Sequence, residues 1–403
     1  MFHLINKIRR NNVNRLLMKG ACVLVIGLLL FAAVRCIEPF ELEGVSSNPD
    51  LLVVDGFINV TEGKATVRLT KALGVLSEEG YTVVTGADVK IISEDGTEFP
   101  LQWGHYTDPP EYQALYYAEG ISVDHGKKYK LWINAGEIYE SEFVEIQVAA
   151  PIQSIEYEAH DEDLRIYVNS AESPEASQYY RWRYEETFEY NAPLYSSWYM
   201  DENREMIYRP TDESVYICYR QDPSNEILVS SSTELSTNVI RNREIRRLPR
   251  ESIRISRLYS LNVKQMALTE EAYTYWLNLY KTTENTGGLF DPLPGQVYGN
   301  IKCVSDPELK VVGFFSGSTI EEKRLWIDRS DLPRGFAVYR PAYCELDTIS
   351  VADLQFRSPG SIFGQSIMDM FGNVSGYTYS SVSCLDCRYY LSGGTTTKPE
   401  FWP

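Results

Sequence analysis

The chain has 403 residues, 44% of them hydrophobic and 23% charged, which is ordinary for folded protein and excludes a largely disordered chain. The formal net charge is −18, and the first 36 residues carry six basic side chains and no acid, so the remainder is more acidic still. Such a surface repels nucleic-acid phosphates and anionic lipid, and with 4 His against 29 Tyr the commonest general base and metal ligand is scarce.

Residues 1–20 are basic and polar, and Ala21 to Val34 is one apolar run. That order reads as a secretory signal, and the run is short for a membrane span, which needs roughly 20 apolar residues. Cys36 follows almost at once. With Ala32 and Ala33 before it, the site resembles a lipobox, where bacterial lipoproteins are cut and acylated on Cys, although Arg35 stands where Gly, Ala or Ser is usual. The expectation is a lipoprotein signal over residues 1–35, a lipidated Cys36 and an acidic linker over 36–50. Its Glu38, Glu41 and Glu43 resemble the acidic signal that sends such proteins to the cell surface, or are simply a solvated tether.

From Leu51 the pattern is strands and turns. Residues 51–60 are β-rich and end at Thr61-Glu62-Gly63. In 64–72, Ala65, Val67 and Leu69 share one face. Residues 87–93 run into the turn Glu94-Asp95-Gly96, and further strands follow up to 138–148. About seven short strands within 51–150 predict a β-sandwich of immunoglobulin type in architecture, since the Cys…Trp…Cys hallmark is missing. Ala149-Ala150-Pro151 closes this unit, because Pro interrupts strand pairing.

Residues 151–403 read as a larger antiparallel β-rich domain. Strands are expected at 154–160, 164–170, 179–190, 214–220, 227–232, 310–318 and 322–329, with a hairpin of two long strands over 241–268. One clear helix begins after Thr269, a suitable N-cap with Glu270 and Glu271 in the first turn, and shows Tyr273, Trp276, Leu277 and Tyr280 on one face. A Gly- and Pro-rich loop at 287–295 ends it. The fold class expected is mostly β: an N-terminal immunoglobulin-like sandwich, then the larger domain with one helix.

Beyond the signal, the cysteines are Cys218, Cys303, Cys344, Cys384 and Cys387. An exported chain sits where disulfides persist. Cys384 and Cys387 have C-x-x-C spacing, but a zinc site wants a second matching pair and a redox motif opens a helix after a strand. A bridge inside this pair would close a very tight loop. Cys384 and Cys387 are therefore expected to bond to Cys218 and Cys344, in an order the sequence leaves open; free thiols and metal binding are the alternatives.

There is no H-E-x-x-H, no G-x-S-x-G and no phosphate-binding Gly loop. His105, His125 and His160 lie in turn-like surroundings, and His160-Asp161-Glu162-Asp163 reads as an exposed turn in preference to a cation site. No catalytic residue, cofactor or metal ligand is assigned. Seven Arg fall within 241–257, including Arg246, Arg247 and Arg250. They form either a patch for an anionic partner or pairs with the protein's own acids. Tyr180, Trp182 and Tyr184 share one face by alternation, and form either a stacking platform or core.

Several segments in order carry a more specific resemblance: Cys36-Ile37-Glu38-Pro39-Phe40, Leu52-Val53-Val54-Asp55-Gly56, Gly86-Ala87-Asp88-Val89, Leu289 to Pro294 before Val297 to Ile301, Cys384 to Arg388, and Lys398 to Trp402. Together they resemble a family of Bacteroidetes outer-membrane lipoproteins catalogued as domain of unknown function 4249, over Cys36 to Pro403. Such proteins are often encoded beside SusC-like, TonB-dependent receptors. The resemblance implies a surface-exposed, lipid-anchored, non-catalytic binding or accessory role in nutrient uptake, with such a receptor as partner and no nucleic acid. It carries over no catalytic residue. In this frame Cys303 is the odd thiol. The rival classes are a cell-surface hydrolase, and an adhesin or envelope assembly factor. Because the Arg cluster, the aromatic strands and the helix all fall after 150, that part is expected to carry the partner surface. Residues 37–150, with 20 acids against 7 bases, would serve as a spacer.

Overall fold

Alternation of apolar and polar side chains builds the first layer. Strand β1 (Leu51–Asn59) buries Leu52, Val54 and Ile58 and pairs antiparallel with β2 (Lys64–Ala72), which buries Ala65, Val67 and Leu69 as expected. The computed structural model describes residues 51–72, 81–106, 113–284, 297, 299–336 and 343–403. The signal, Cys36, the linker 36–50 and the loop 287–295 lie outside them. Among the described residues the protein is mostly β, and no helix is long and apolar enough to cross a membrane.

Seven further strands follow up to residue 145: β3 (Tyr81–Val83), β4 (Asp88–Ser93), β5 (Glu98–Tyr106), β6 (Gln113–Glu119), β7 (Lys128–Asn134), β8 (Ile138–Ser141) and β9 (Val144–Glu145). Two distant strands, β19 (Ile301–Cys303) and β20 (Val311–Ser318), complete one sheet in the order β19-β8-β7-β4-β5-β6-β2-β1-β20. β5 pairs with β4 through its first half and with β6 through its second, so one strand serves both halves of the sheet. The halves face each other: a Cβ built on Gly56 of β1 would come within 2.9 Å of Phe315 and 3.2 Å of Leu131 on β7, so only Gly leaves room there. His105 lies within β5 and not in a turn, because the strand runs on to Tyr106.

Two cores part near the expected division at Ala150-Pro151, one ending at Ile146 and the other beginning at Ala150, but the first is not built by 51–150 alone. The first core draws on Leu52 to Ile146 but also on Ile301, Cys303, Val311 and Phe315. Strand β20 runs parallel to β1, pairing Leu52 with Val311 through to Asn59 with Ser318. The first core is therefore not built by the contiguous segment 51–150, and residues 49–403 cluster as one compact unit.

The second core lies between two sheets. One holds β10 (Ile152–Ala159), β11 (Asp163–Ser170) and β17 (Arg243–Pro249). The other is five-stranded, with β15 (Ile217–Pro223), β12 (Tyr179–Asn191), β18 (Leu258–Leu268) and β21 (Ile320–Asp328) in order and β16 (Leu228–Ser231) also on β12. Residues 160–163 form the expected turn between β10 and β11, closed by the His160 N–H donating to the Asp163 carbonyl at 2.8 Å. The hairpin expected over 241–268 does not form. β17 pairs with β11, β18 pairs with β12 and β21, and a short 3-10 turn around the buried Ile255 carries the chain from one sheet to the other.

Helix α1 (Glu270–Glu284) stands where predicted, and the Thr269 hydroxyl accepts from the Ala272 N–H at 3.2 Å, a first-turn cap. Its buried face centres on Ala272, Tyr275 and Trp276, packed with Val229, Leu268 and Phe314. Tyr280 is exposed, so the stripe is rotated from the expected one, toward the pocket that Phe314 of β20 fills. A last module joins two small sheets: β14 (Met206–Tyr208), β13 (Trp198–Met200) and β23 (Ile362–Phe363), and β22 (Asp347–Ser350), β25 (Val374–Tyr379) and β24 (Ser366–Met368). Met200, Ile349, Leu354, Phe363 and Tyr377 form its core.

Candidate partner surface

Strand β12 alternates from Tyr179 to Tyr184 and is buried on both faces from Tyr184 to Phe188, and its aromatic side chains at even positions from Tyr180 to Tyr190 belong to the second core. Tyr180, Trp182 and Tyr184 are buried there and offer no stacking platform. The Trp182 Nε1–H donates to Gln265 Oε1 at 2.8 Å, and Gln265 Nε2 donates to the Ala150 carbonyl at 2.6 Å, so the indole is fixed by a chain of bonds across the core. Burial of large aromatic surface outweighs any gain from leaving it free for a ligand.

Glu186 sits on the same core-facing parity, between Tyr184 and Phe188, and is 3% exposed. A carboxylate there demands partners. Three residues supply four hydrogen bonds: Arg246 Nε at 2.9 Å and Nη2 at 3.0 Å, Arg254 Nε at 3.2 Å and the Tyr259 hydroxyl at 2.7 Å. Arg246 also donates to Glu226 at 3.2 Å, and Arg254 to Asp222 at 2.6 Å. Burial works against the Arg246 charge, but the Glu186 carboxylate more than offsets it and holds the guanidinium above its ordinary pKa. Burial first, then the same carboxylate, pushes the Tyr259 hydroxyl well above its usual range.

Other members of the cluster are also bonded within the chain. Arg247 bonds Glu244 at 2.9 and 3.1 Å, Arg250 donates to the carbonyls of Asp161 and Gly335, and Arg257 pairs with Glu189. Of the seven, Arg246, Arg247, Arg254 and Arg257 pair with the protein's own acids, while Arg250 is held by backbone carbonyls and Arg241 by Gln153. The local signal was a Glu at a core-facing position of an aromatic strand, which implies a buried countercharge.

The cysteines pair as Cys218–Cys387 and Cys344–Cys384, with Cys303 free and buried. Cys384 and Cys387 occupy two short helices, α2 (Val382–Leu385) and α3 (Cys387–Tyr390). The bridges tie this segment to β15 on one side and to the chain before β22 on the other.

What stands free is apolar. Ten of the twenty large apolar side chains exposed among the described residues lie in 343–403, a small share of the chain. The most prominent are Met370 and Phe371, 90% and 81% exposed, at the tip of the β24–β25 hairpin. The tip is built firmly. Asp369 Oδ1 accepts from the N–H groups of Phe371 at 2.8 Å and Asn373 at 2.9 Å, the Asp369 N–H donates to the Asn373 carbonyl at 2.8 Å, and Gly372 takes φ +82°, a conformation that favours Gly. The first-named bond to Asn373 leads the causes that hold the Asp369 carboxyl below its usual value. Asp at the first turn position and Gly at the fourth are the expected turn residues; two large apolar side chains between them are not. That mismatch was the signal in the sequence, and the sequence reading passed over it. Phe356, at the end of the 3-10 turn packed on the same module, is also exposed.

No curated protein matches the chain. A family profile described as a domain of unknown function (DUF4249) matches residues 37–324, ending within β21, so the apolar hairpin tip lies beyond the matched span. With most of its length covered by that match, the chain belongs to the DUF4249 family.

Proposed function

We propose that this protein is an exported outer-membrane lipoprotein, anchored through a lipid on Cys36. It serves as a non-catalytic binding or accessory component of a TonB-dependent uptake system at the cell surface. The observation that carries the reading is the concentration of exposed apolar side chains on the C-terminal module, with Met370 and Phe371 at a braced hairpin tip. Apolar groups displayed on an acidic chain cost solubility unless a partner covers them, and clustered exposure of this kind marks interaction surfaces. The two disulfides fit an oxidising compartment outside the cytosol, and the basic-then-apolar N-terminus fits export. The acidic body disfavours nucleic acid and anionic lipid as partners. The partner is then a protein, a TonB-dependent receptor, met through the hairpin tip and not through the Arg cluster, which is internally paired. Extraction of native membranes in detergent, with mass identification of the chains that stay with this protein, tests it. A receptor of that class is expected in near-equal amount; recovery of this protein alone, or with cytosolic chains only, counts against it.

A further inference from the structure

The five-stranded sheet turns its odd-numbered β12 side chains away from the core. On that face Thr187 lies directly across from Gln221 of β15, and Glu189 across from Tyr219. The C-terminal tail covers it. Thr395 and Tyr219 exchange backbone hydrogen bonds of 2.8 and 2.9 Å at the sheet edge. Seven residues on, the Trp402 ring lies 5.6 Å from that of Tyr219 and 4.9 Å from that of Trp326 on β21, and its Nε1–H donates to Glu189 at 3.3 Å. Between tail and strand is a hollow of about 380 Å³, lined by Tyr219, Gln221, Gly393, Thr395, Thr397 and Pro399.

The lining holds an aromatic ring, a carboxamide and three hydroxyls, one of them phenolic, and no carboxylate, ammonium or guanidinium. Glu189, the nearest acid across the strand from it, is already taken by Arg257 and Trp402, so nothing in the hollow is set to hold a cation. We infer that the hollow takes a neutral, polyhydroxylated ligand of the sugar class. The Tyr219 ring packs against the C–H face of the sugar ring. Gln221 both donates to and accepts from its hydroxyls, and Thr395 and Thr397 complete the set.

This deepens the uptake reading by naming the class of cargo, and it fails separately from it. The test titrates the full chain with glucose, galactose, maltose and cellobiose, followed by calorimetry and by tryptophan fluorescence, to which Trp402 at the rim contributes. At least one saccharide is expected to bind saturably. Affinity should fall about tenfold or more in Gln221→Ala and Tyr219→Ala, stay within a few-fold in Tyr219→Phe, and be weaker for glucuronate than for glucose. Gln221 is part-exposed, so an unchanged melting temperature in Gln221→Ala certifies its fold. No binding by any of the four up to about 10 mM, or binding that a folded Gln221→Ala leaves unaltered, overturns the inference. Receptor co-purification measured on the same Gln221→Ala protein is expected to be unchanged. Its retention alongside absent sugar binding would remove the cargo class alone.

Discussion

Glu186 and Arg246 carry the densest electrostatics in the molecule. Breaking a buried ion pair by removing one partner costs about 3–5 kcal/mol, because the remaining charges keep their desolvation penalty. Glu186→Ala strands Arg246, Arg254 and Tyr259 together, so thermal or denaturant unfolding should show a loss in that range. Charge reversal at Arg246 should likewise lower the melting temperature while leaving partner binding in the surviving folded fraction unchanged; weakened binding at full stability would return the Arg cluster to the partner surface. Neighbouring Glu185 faces the other side of the sheet. Burial, opposed by Arg324 and Lys264, raises its carboxyl above the ordinary value. A folded-state pKa above the unfolded one means the ionised form costs stability. The cost is absent below about pH 4, where both states are protonated, and complete once pH exceeds the folded value. Glu185→Gln should therefore raise the melting temperature at pH 7 and leave it unchanged near pH 4. A lower melting temperature at pH 7 would show that attraction to Arg324 outweighs burial.

At the scale of elements, side-chain period was legible and pairing was not. The alternation in 64–72 and 179–190, and the cap and acidic first turn at Thr269 to Glu271, located strands and a helix, because local sterics and burial fix the period. Nothing local says that β20 returns to lie parallel to β1, or that β17 and β18 part into different sheets. Both depend on contacts across long stretches of chain, to which an alternating pattern is blind. The cysteines show the same limit: which residues bond was readable, and the order Cys218–Cys387 and Cys344–Cys384 was not. These bridges close loops with separations of 169 and 40 residues. In the chain-entropy account the longer loop stabilises more, typically about 2–4 kcal/mol per bridge. Replacing Cys218 and Cys387 together by Ser should cost more in denaturant unfolding than replacing Cys344 and Cys384. The reverse order would mean that local packing around α2 outweighs loop entropy.

For the whole molecule, the aromatic and Arg clusters singled out in the sequence serve mainly to build the second core and its rim. Hydrophobic clusters read as candidate platforms became core, since an aromatic strand in a sandwich gains most by burial. A charge cluster in an acidic chain found its countercharges at home. The most exposed apolar display among the described residues is Met370-Phe371, at a turn that Asp369 and Gly372 brace. The most direct test takes detergent-solubilised membranes carrying either the native chain or the double variant Met370→Ser, Phe371→Ser, and measures co-purifying receptor together with melting temperature. Both side chains are nearly fully exposed, so the variant should melt as the native chain does. The account predicts that a TonB-dependent receptor accompanies the native chain and is lost from the variant; a receptor retained equally by both, or by neither, would contradict it.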